Sequence, residues 1–152
     1  MTRLVRVAGE SMTPTYRPSD LLLTRPVGRG GVPVQRGDVA VFRHGDITAI
    51  KRVAGVPGDV VELEAGRLFV NGESLDGRPR ARGASTEVWC VPAAAFFMAG
   101  DNPSVSDDSR VWDTPFVPVA DIGAVVTRRL AWTHRRRPLT PHLPTLGAAL
   151  AA

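Results

Sequence analysis

The chain reads as a mostly β protein of antiparallel sheets with few short helices, and three observations predict this. Short alternating apolar runs rich in Val, Phe and Ile recur along it, turn signals separate them, and no segment of 11 or more residues keeps a helical period. The runs are 4–8 (LVRVA), 21–24 (LLLT), 39–42 (VAVF), 47–53 (ITAIKRV), 60–63 (VVEL), 68–70 (LFV), 88–91 (VWCV), 96–98 (FFM) and 122–130 (IGAVVTRRL). Arg36-Gly37-Asp38, His44-Gly45-Asp46, Pro57-Gly58-Asp59, Ala65-Gly66 and Asn71-Gly72 punctuate them, so hairpins should connect neighbouring strands. Segments 26–35 and 76–86, rich in Gly, Pro and Arg, read as exposed loops.

A length of 152 residues fits one domain, placed at 1–131. Residues 132–152, basic and then rich in Pro and Ala, read as a weakly ordered tail. The 43% hydrophobic and 22% charged content supports a packed core and excludes wholesale disorder. A single cysteine, Cys90, excludes an intrachain disulfide or a thiolate cluster, and His44, His134 and His142 lack ligand spacing, so no structural zinc site is expected. No run approaches the ~20 apolar residues of a membrane span, and the first ten residues are too charged for a signal peptide. These features leave a soluble or membrane-peripheral protein.

The net charge of +4 is uneven, since no acid follows Asp121 while five arginines do. That basic end could meet phosphate head groups or simply solubilise a tail. Of the 19 basic residues, 18 are arginines and one is Lys51. An arginine keeps its proton in a protein and a lysine need not, so Lys51 is the one side-chain amine available for base chemistry.

Strand alternation places Ile47, Ala49, Lys51 and Val53 on one face of 47–53, the more apolar one. An amine held there would have a lowered pKa and act as a neutral base; a lysine snorkelling from a strand end is the other reading. In Gly9-Glu10-Ser11-Met12-Thr13-Pro14-Thr15, Gly9 permits a tight turn and Pro14 drives Thr13 from helical geometry. Ser11 therefore sits at a corner, as a nucleophile or as an ordinary turn serine. The polar run Gly100-Asp101-Asn102-Pro103-Ser104-Val105-Ser106-Asp107-Asp108-Ser109-Arg110 exceeds what a turn requires but lacks the spacing of a calcium loop.

Together, SMTPT at 11–15, RGDVAVF at 36–42, KRVAGVPGD at 51–59 and GDNPSVSDDSR at 100–110 resemble the boxes of type I signal peptidases, the Ser/Lys-dyad endopeptidases, in order and approximate spacing. The resemblance covers about residues 4–130. It implies a fold of the kind shared with repressor autoproteases, with Ser11 as nucleophile, Lys51 as general base and Ser106 as the hydroxyl that orients the amine. It further implies two bracing ion pairs, Arg52 with Asp101 and Asp108 with Arg110, and an oxyanion donor at the Ser11 amide. Gly9 stands where some members carry a second donor serine.

The implied activity is removal of signal or leader peptides after small residues, without cofactor. The substrate would bind as an extended strand against Gly9, Met12, Val39 and Val41. The family's place is the extracytoplasmic membrane face. Three accounts of the absent spanning segment stay open: a missed upstream start, docking on the membrane through a partner or the basic C-terminus, or a cytoplasmic, dedicated maturation protease similar to the compact one that processes nickel superoxide dismutase. Two other classes remain: an autoproteolytic Ser/Lys switch, for which only ten residues precede Ser11, and a non-catalytic β module binding acidic surfaces. Gly28-Arg29-Gly30-Gly31 lacks a phosphate-loop Gly-Lys-Ser/Thr, and no nucleic-acid partner is expected. His44, near Asp46, reads as an exposed turn histidine, and Trp89, Trp112, Trp132, Phe96, Phe97 and Phe116 as core or rim packing.

Overall fold

A computed structural model of the protein describes residues 1–28, 31–77 and 87–130. Each apolar run becomes a strand: Arg3–Arg6 (β1), Leu21–Pro26 (β2), Val39–His44 (β3), Ile47–Gly55 (β4), Val60–Glu64 (β5), Arg67–Val70 (β6), Glu73–Ser74 (β7), Glu87–Cys90 (β8), Ala95–Ala99 (β9), Phe116–Pro118 (β10) and Ile122–Leu130 (β11). One sheet runs β1-β2-β11-β3-β4-β9-β10 and a second runs β7-β6-β5-β8, with every pairing antiparallel. The described helical content is one 3-10 turn, Val119–Asp121. Strands β7 and β10 escaped the sequence reading because two and three residues are too short to show a period.

The turn chemistry sets the register. Ala65 and Gly66 both take positive φ (48° and 75°), as do Asn71 and Gly72 (52° and 82°). Those are the dihedrals of two-residue hairpin turns, and they close Glu64 onto Arg67 and Val70 onto Glu73. The 26–35 loop is tied by a bridge between Val27 and Val32. Most of the 76–86 loop and all of the 132–152 tail, with Trp132, His134 and His142, lie outside the described residues.

β9 explains how the sheets pack. All five of its residues are buried, and alternation sends Phe96 and Met98 into one core with Ala40, Phe42, Val53, Val117 and Ile122. Phe97 and Ala99 enter a second core with Ala54, Val61, Val70 and Val91. A strand covered on both faces must read as a continuous apolar run, which is why AAAFFMA shows no alternation. Gly55 lets the smaller sheet close against it, because a Cβ there would meet Val61 Cγ2 at 2.8 Å and Val91 Cγ2 at 3.0 Å. Trp89 tilts against Phe97 at 4.8 Å between ring centroids and Phe116 meets Phe97 edge-on at 6.4 Å, so these aromatics are packing groups.

Candidate active site

β1 leads into a turn held from both sides. Val7 N–H donates to Asp20 O at 2.9 Å, Thr13 N–H to Glu10 O at 3.1 Å and Tyr16 N–H to Met12 O at 2.9 Å. Met12, 1% exposed, fills the space beneath. Gly9 takes φ +76°, which turns the chain out of β1, and the Thr13–Pro14 peptide is cis. The 100–110 loop clamps this turn: Asn102 N–H donates to Ser11 O at 2.9 Å, Asn102 Nδ2 to Thr13 Oγ1 at 2.9 Å, and Thr15 Oγ1 to Asp101 Oδ2 at 2.6 Å. Asn102 and Thr15 lay inside the motifs read from sequence, yet nothing in local pattern shows that they face each other.

The hairpin of β3 and β4 pairs Ala40 with Lys51 and carries the lysine to this turn. Lys51 is 7% exposed, and its Nζ donates to Ser11 Oγ at 2.7 Å. On its face Val53 is fully buried and Ala49 packs on the core, but Ile47 is 59% exposed. Ile47 thus lines the groove without burying the amine; it stands at the hairpin tip, opposite His44 and beyond β9, which pairs with β4 from Arg52 onward. Burial lowers the Lys51 pKa, against the pull of Asp108 and Asp107 and with some help from Arg110.

The loop beside it is organised on Asp108, which is fully buried. Its carboxylate accepts from Gly100 N–H at 2.7 Å, Ser106 Oγ at 2.5 Å and Arg110 Nε at 2.8 Å. Burial alone would raise its pKa; the Arg110 hydrogen bond, followed by those from Gly100 and Ser106, overcomes this and holds the carboxyl low. Ser109 fixes the loop to β9, with its N–H donating to Met98 O at 3.0 Å and Met98 N–H donating to Ser109 Oγ at 2.8 Å. Arg52 makes a two-point pair with Asp101, Nε to Oδ1 at 2.8 Å and Nη2 to Oδ2 at 2.6 Å. Ser106, expected to orient the lysine amine, has its hydroxyl proton on Asp108. Gly100 keeps it beside the Ser11 turn, because a Cβ at that position would lie 2.6 Å from both Ser106 Cβ and Ser11 O.

A groove of about 370 Å³ opens over Ser11 and Lys51, walled by Val5, Ala8, Val41 and Ile50 among others. Of the four residues expected to contact a substrate, Val41 lines it. Val39 and Met12 do not: they are 5% and 1% exposed and serve as packing, and Gly9 lies outside the lining. Among the described residues β1 pairs only with β2, and residues 47–51 of β4 only with β3, so two strand edges border the groove with backbone groups unpaired within the described sheet.

His44 is half-buried rather than an exposed turn residue, because it ends β3 and stacks on Trp112 with centroids 3.7 Å apart and planes 13° from parallel. Trp112 Nε1 donates to Asp107 Oδ1 at 2.9 Å, so the stack ties the loop to the hairpin. Among the described residues no three His, Cys, Asp or Glu side chains converge to hold a metal ion.

A sequence model of the family described as signal peptidase, peptidase S26, matches residues 1–132. A signal peptidase I of Pseudomonas fluorescens is 32% identical over 91% of this chain and 67% of that protein. Another, from Pseudomonas aeruginosa, is 31% identical over 82% and 60%, and one from Leptolyngbya laminosa is 32% identical over 80% and 66%. The chain thus spans about two-thirds or less of the length of these relatives. A crystal structure of a signal peptidase I from Enterococcus faecalis V583 aligns with 63% of this chain and 98% of that one at 30% identity, with a TM-score of 0.48.

Proposed function

The chain belongs to the signal peptidase family, peptidase S26, and on that premise we propose that it is a serine endopeptidase that removes signal or leader peptides. One observation carries this reading: an amine buried to 7% exposure lies 2.7 Å from the hydroxyl of a serine at a rigid corner.

The chemistry follows from that contact. Lys51, whose ammonium form burial disfavours, takes the Ser11 proton in its neutral form as Oγ attacks the scissile carbonyl. The Ser11 amide meets the oxyanion of the tetrahedral intermediate. Collapse breaks the C–N bond, Lys51 returns the proton to the leaving amine, and an acyl-Ser11 ester remains. Water, deprotonated by Lys51, then attacks the ester, and Lys51 passes that proton to Ser11 Oγ as the C–Oγ bond breaks and the acid leaves. Ser106, Asp108 and Arg110 brace the loop against the lysine, and Arg52 with Asp101 holds the loop to the lysine strand.

The substrate binds as an added strand between the free edges of β1 and β4, where pairing supplies its backbone partners. The shallow wall of Val5, Ala8, Val41 and Ile50 accommodates small side chains one and three residues before the cut. The same reading puts the enzyme at a membrane surface. Exposed Leu4 and Ile47, 56% and 59%, near the groove suit peripheral contact, and among the described residues no helix is long and apolar enough to cross a membrane. An acylating serine probe should label Ser11 in the native protein and not in Lys51→Ala, while new N-termini in cells should vanish with Ser11→Ala. Labelling elsewhere, or N-termini unchanged by Ser11→Ala, would overturn the proposal.

A further inference from the structure

Arg6 stands on the wall of the same groove, five residues before Ser11. The groove lining holds no aspartate or glutamate, and its other ionisable group is Lys51, the amine that burial biases toward neutrality. Most arginines around the site are answered: Arg52 by Asp101, Arg110 by Asp108, Arg36 by Asp59 and Arg129 by Asp20. Among the described residues Arg6 has no acid within ion-pair distance, although Glu10 is only four residues away in the chain. A neighbouring pocket that shares Val41 and Thr48 carries Arg43 and Asp121, one charge of each sign, so the unbalanced charge is in the groove over Ser11.

An unpaired guanidinium presents a fork that matches a carboxylate in two-point geometry. It lies on β1, along whose free edge the substrate strand is proposed to run. We infer that Arg6 selects substrates carrying an aspartate or glutamate within about six residues upstream of the scissile bond, where a strand rising ~3.3 Å per residue passes it. This inference rests on the peptidase reading above, and it makes the substrate class an acid-bearing leader.

The test is a set of peptides with a small-x-small cleavage sequence and Glu, Gln or Lys at each of the second to sixth positions before the cut. Cleavage is followed with the native protein, and binding with Ser11→Ala. At one position Glu should exceed Gln by about threefold to fivefold at low salt, a ratio that shrinks toward one near ~0.5 M salt as screening removes a partly exposed pair. In Arg6→Gln that ratio should collapse to one, and in Arg6→Glu the Lys peptide should be preferred. A ratio of one at every position, or a preference that survives Arg6→Gln, would overturn the assignment. Cleavage without charge preference removes only the role of Arg6. Charge-selective binding to Ser11→Ala with no cleavage by the native protein upholds Arg6 and removes the peptidase reading.

Discussion

The strand face around Lys51 and the loop around Asp108 lie within electrostatic reach of each other, and each buries one ionisable side chain, 7% and 0% exposed. Lys51 looks onto Ala49 and Val53 and spends a hydrogen bond on a neutral hydroxyl. Asp108 accepts five hydrogen bonds, three of them from Arg110 and the others from Gly100 and Ser106. Similar burial therefore has opposite consequences. Where desolvation outweighs the opposing charges the ammonium form is disfavoured and a base is favoured; where donors outweigh it the charge persists and becomes a brace.

The largest expected effect breaks the lysine side. Lys51→Arg should lower kcat/KM by about 10³-fold or more, because a guanidinium keeps its proton. Native kcat/KM should rise with pH as Lys51 deprotonates, on a limb lying below lysine's ordinary value because its folded pKa is lowered. Stability moves the same way. The folded state holds this proton more weakly than the unfolded chain, so stability grows as pH climbs from the lowered value to the ordinary one. A pH profile with no such limb, or an active Lys51→Arg, would remove the general-base role.

The next effect breaks the loop side and falls on stability. Asp108→Asn keeps the shape but leaves Arg110, with a side chain 12% exposed, as an uncompensated buried charge, so unfolding in urea should show a loss of about 3–5 kcal/mol. Lys51→Met, by contrast, replaces a desolvated amine with an apolar chain of similar length and should leave stability unchanged or higher. The contrast extends to acid. Asp108, Asp101 and Asp59 have lowered folded pKa values, so their stabilisation is complete above the ordinary carboxylate range and is lost progressively as pH falls from that range down through the lowered folded values. Equal losses in Asp108→Asn and Lys51→Met would show that the two environments do not differ.

The lysine side of this comparison was more legible in the sequence than the loop side. Period-two alternation puts Lys51 with Ala49 and Val53 using no information beyond nearest neighbours, and the turn glycines mark each connection from β3 through β7. The same alternation puts Ile47 on that face but does not show that it is exposed, since a local pattern does not reveal where a partner strand stops. On the loop side, motif likeness named Ser106, Asp108 and Arg110. It could not show that the Ser106 proton goes to Asp108, that Asn102 grips the Ser11 carbonyl, or that Trp112 bridges His44 and Asp107. Those contacts join segments as much as 91 residues apart, and residue type alone does not carry pairing at that separation. Met12 and Val39 are buried outside the groove lining for a related reason: apolar residues in a site motif serve the core as readily as the groove.

Ser106→Ala sharpens the comparison at the point where the two sides meet. Its hydroxyl serves Asp108 directly and lies beside Gly100, whose other neighbour is the Ser11 carbonyl. Removing it takes one donor of five from Asp108, so stability should fall by about 1 kcal/mol. Acylation should slow by roughly tenfold, far less than in Lys51→Arg, because the base itself remains. Unchanged turnover with the stability loss intact would confine Ser106 to the brace.

The smallest effect is expected at the rim, where Asp101 joins the loop to the lysine strand. Its partner Arg52 has a side chain 32% exposed, against 12% for Arg110, so water can replace much of what is lost. Arg52 also keeps its 2.7 Å bond to Gly37 O when the carboxylate is removed. Asp101→Asn should therefore cost about 1 kcal/mol in urea unfolding, well below Asp108→Asn. The loss should shrink as salt is added, because a rim pair is screened, while the Asp108 deficit should persist. If the two substitutions cost the same, or if salt reduced both alike, burial would not be what separates the brace from its surroundings.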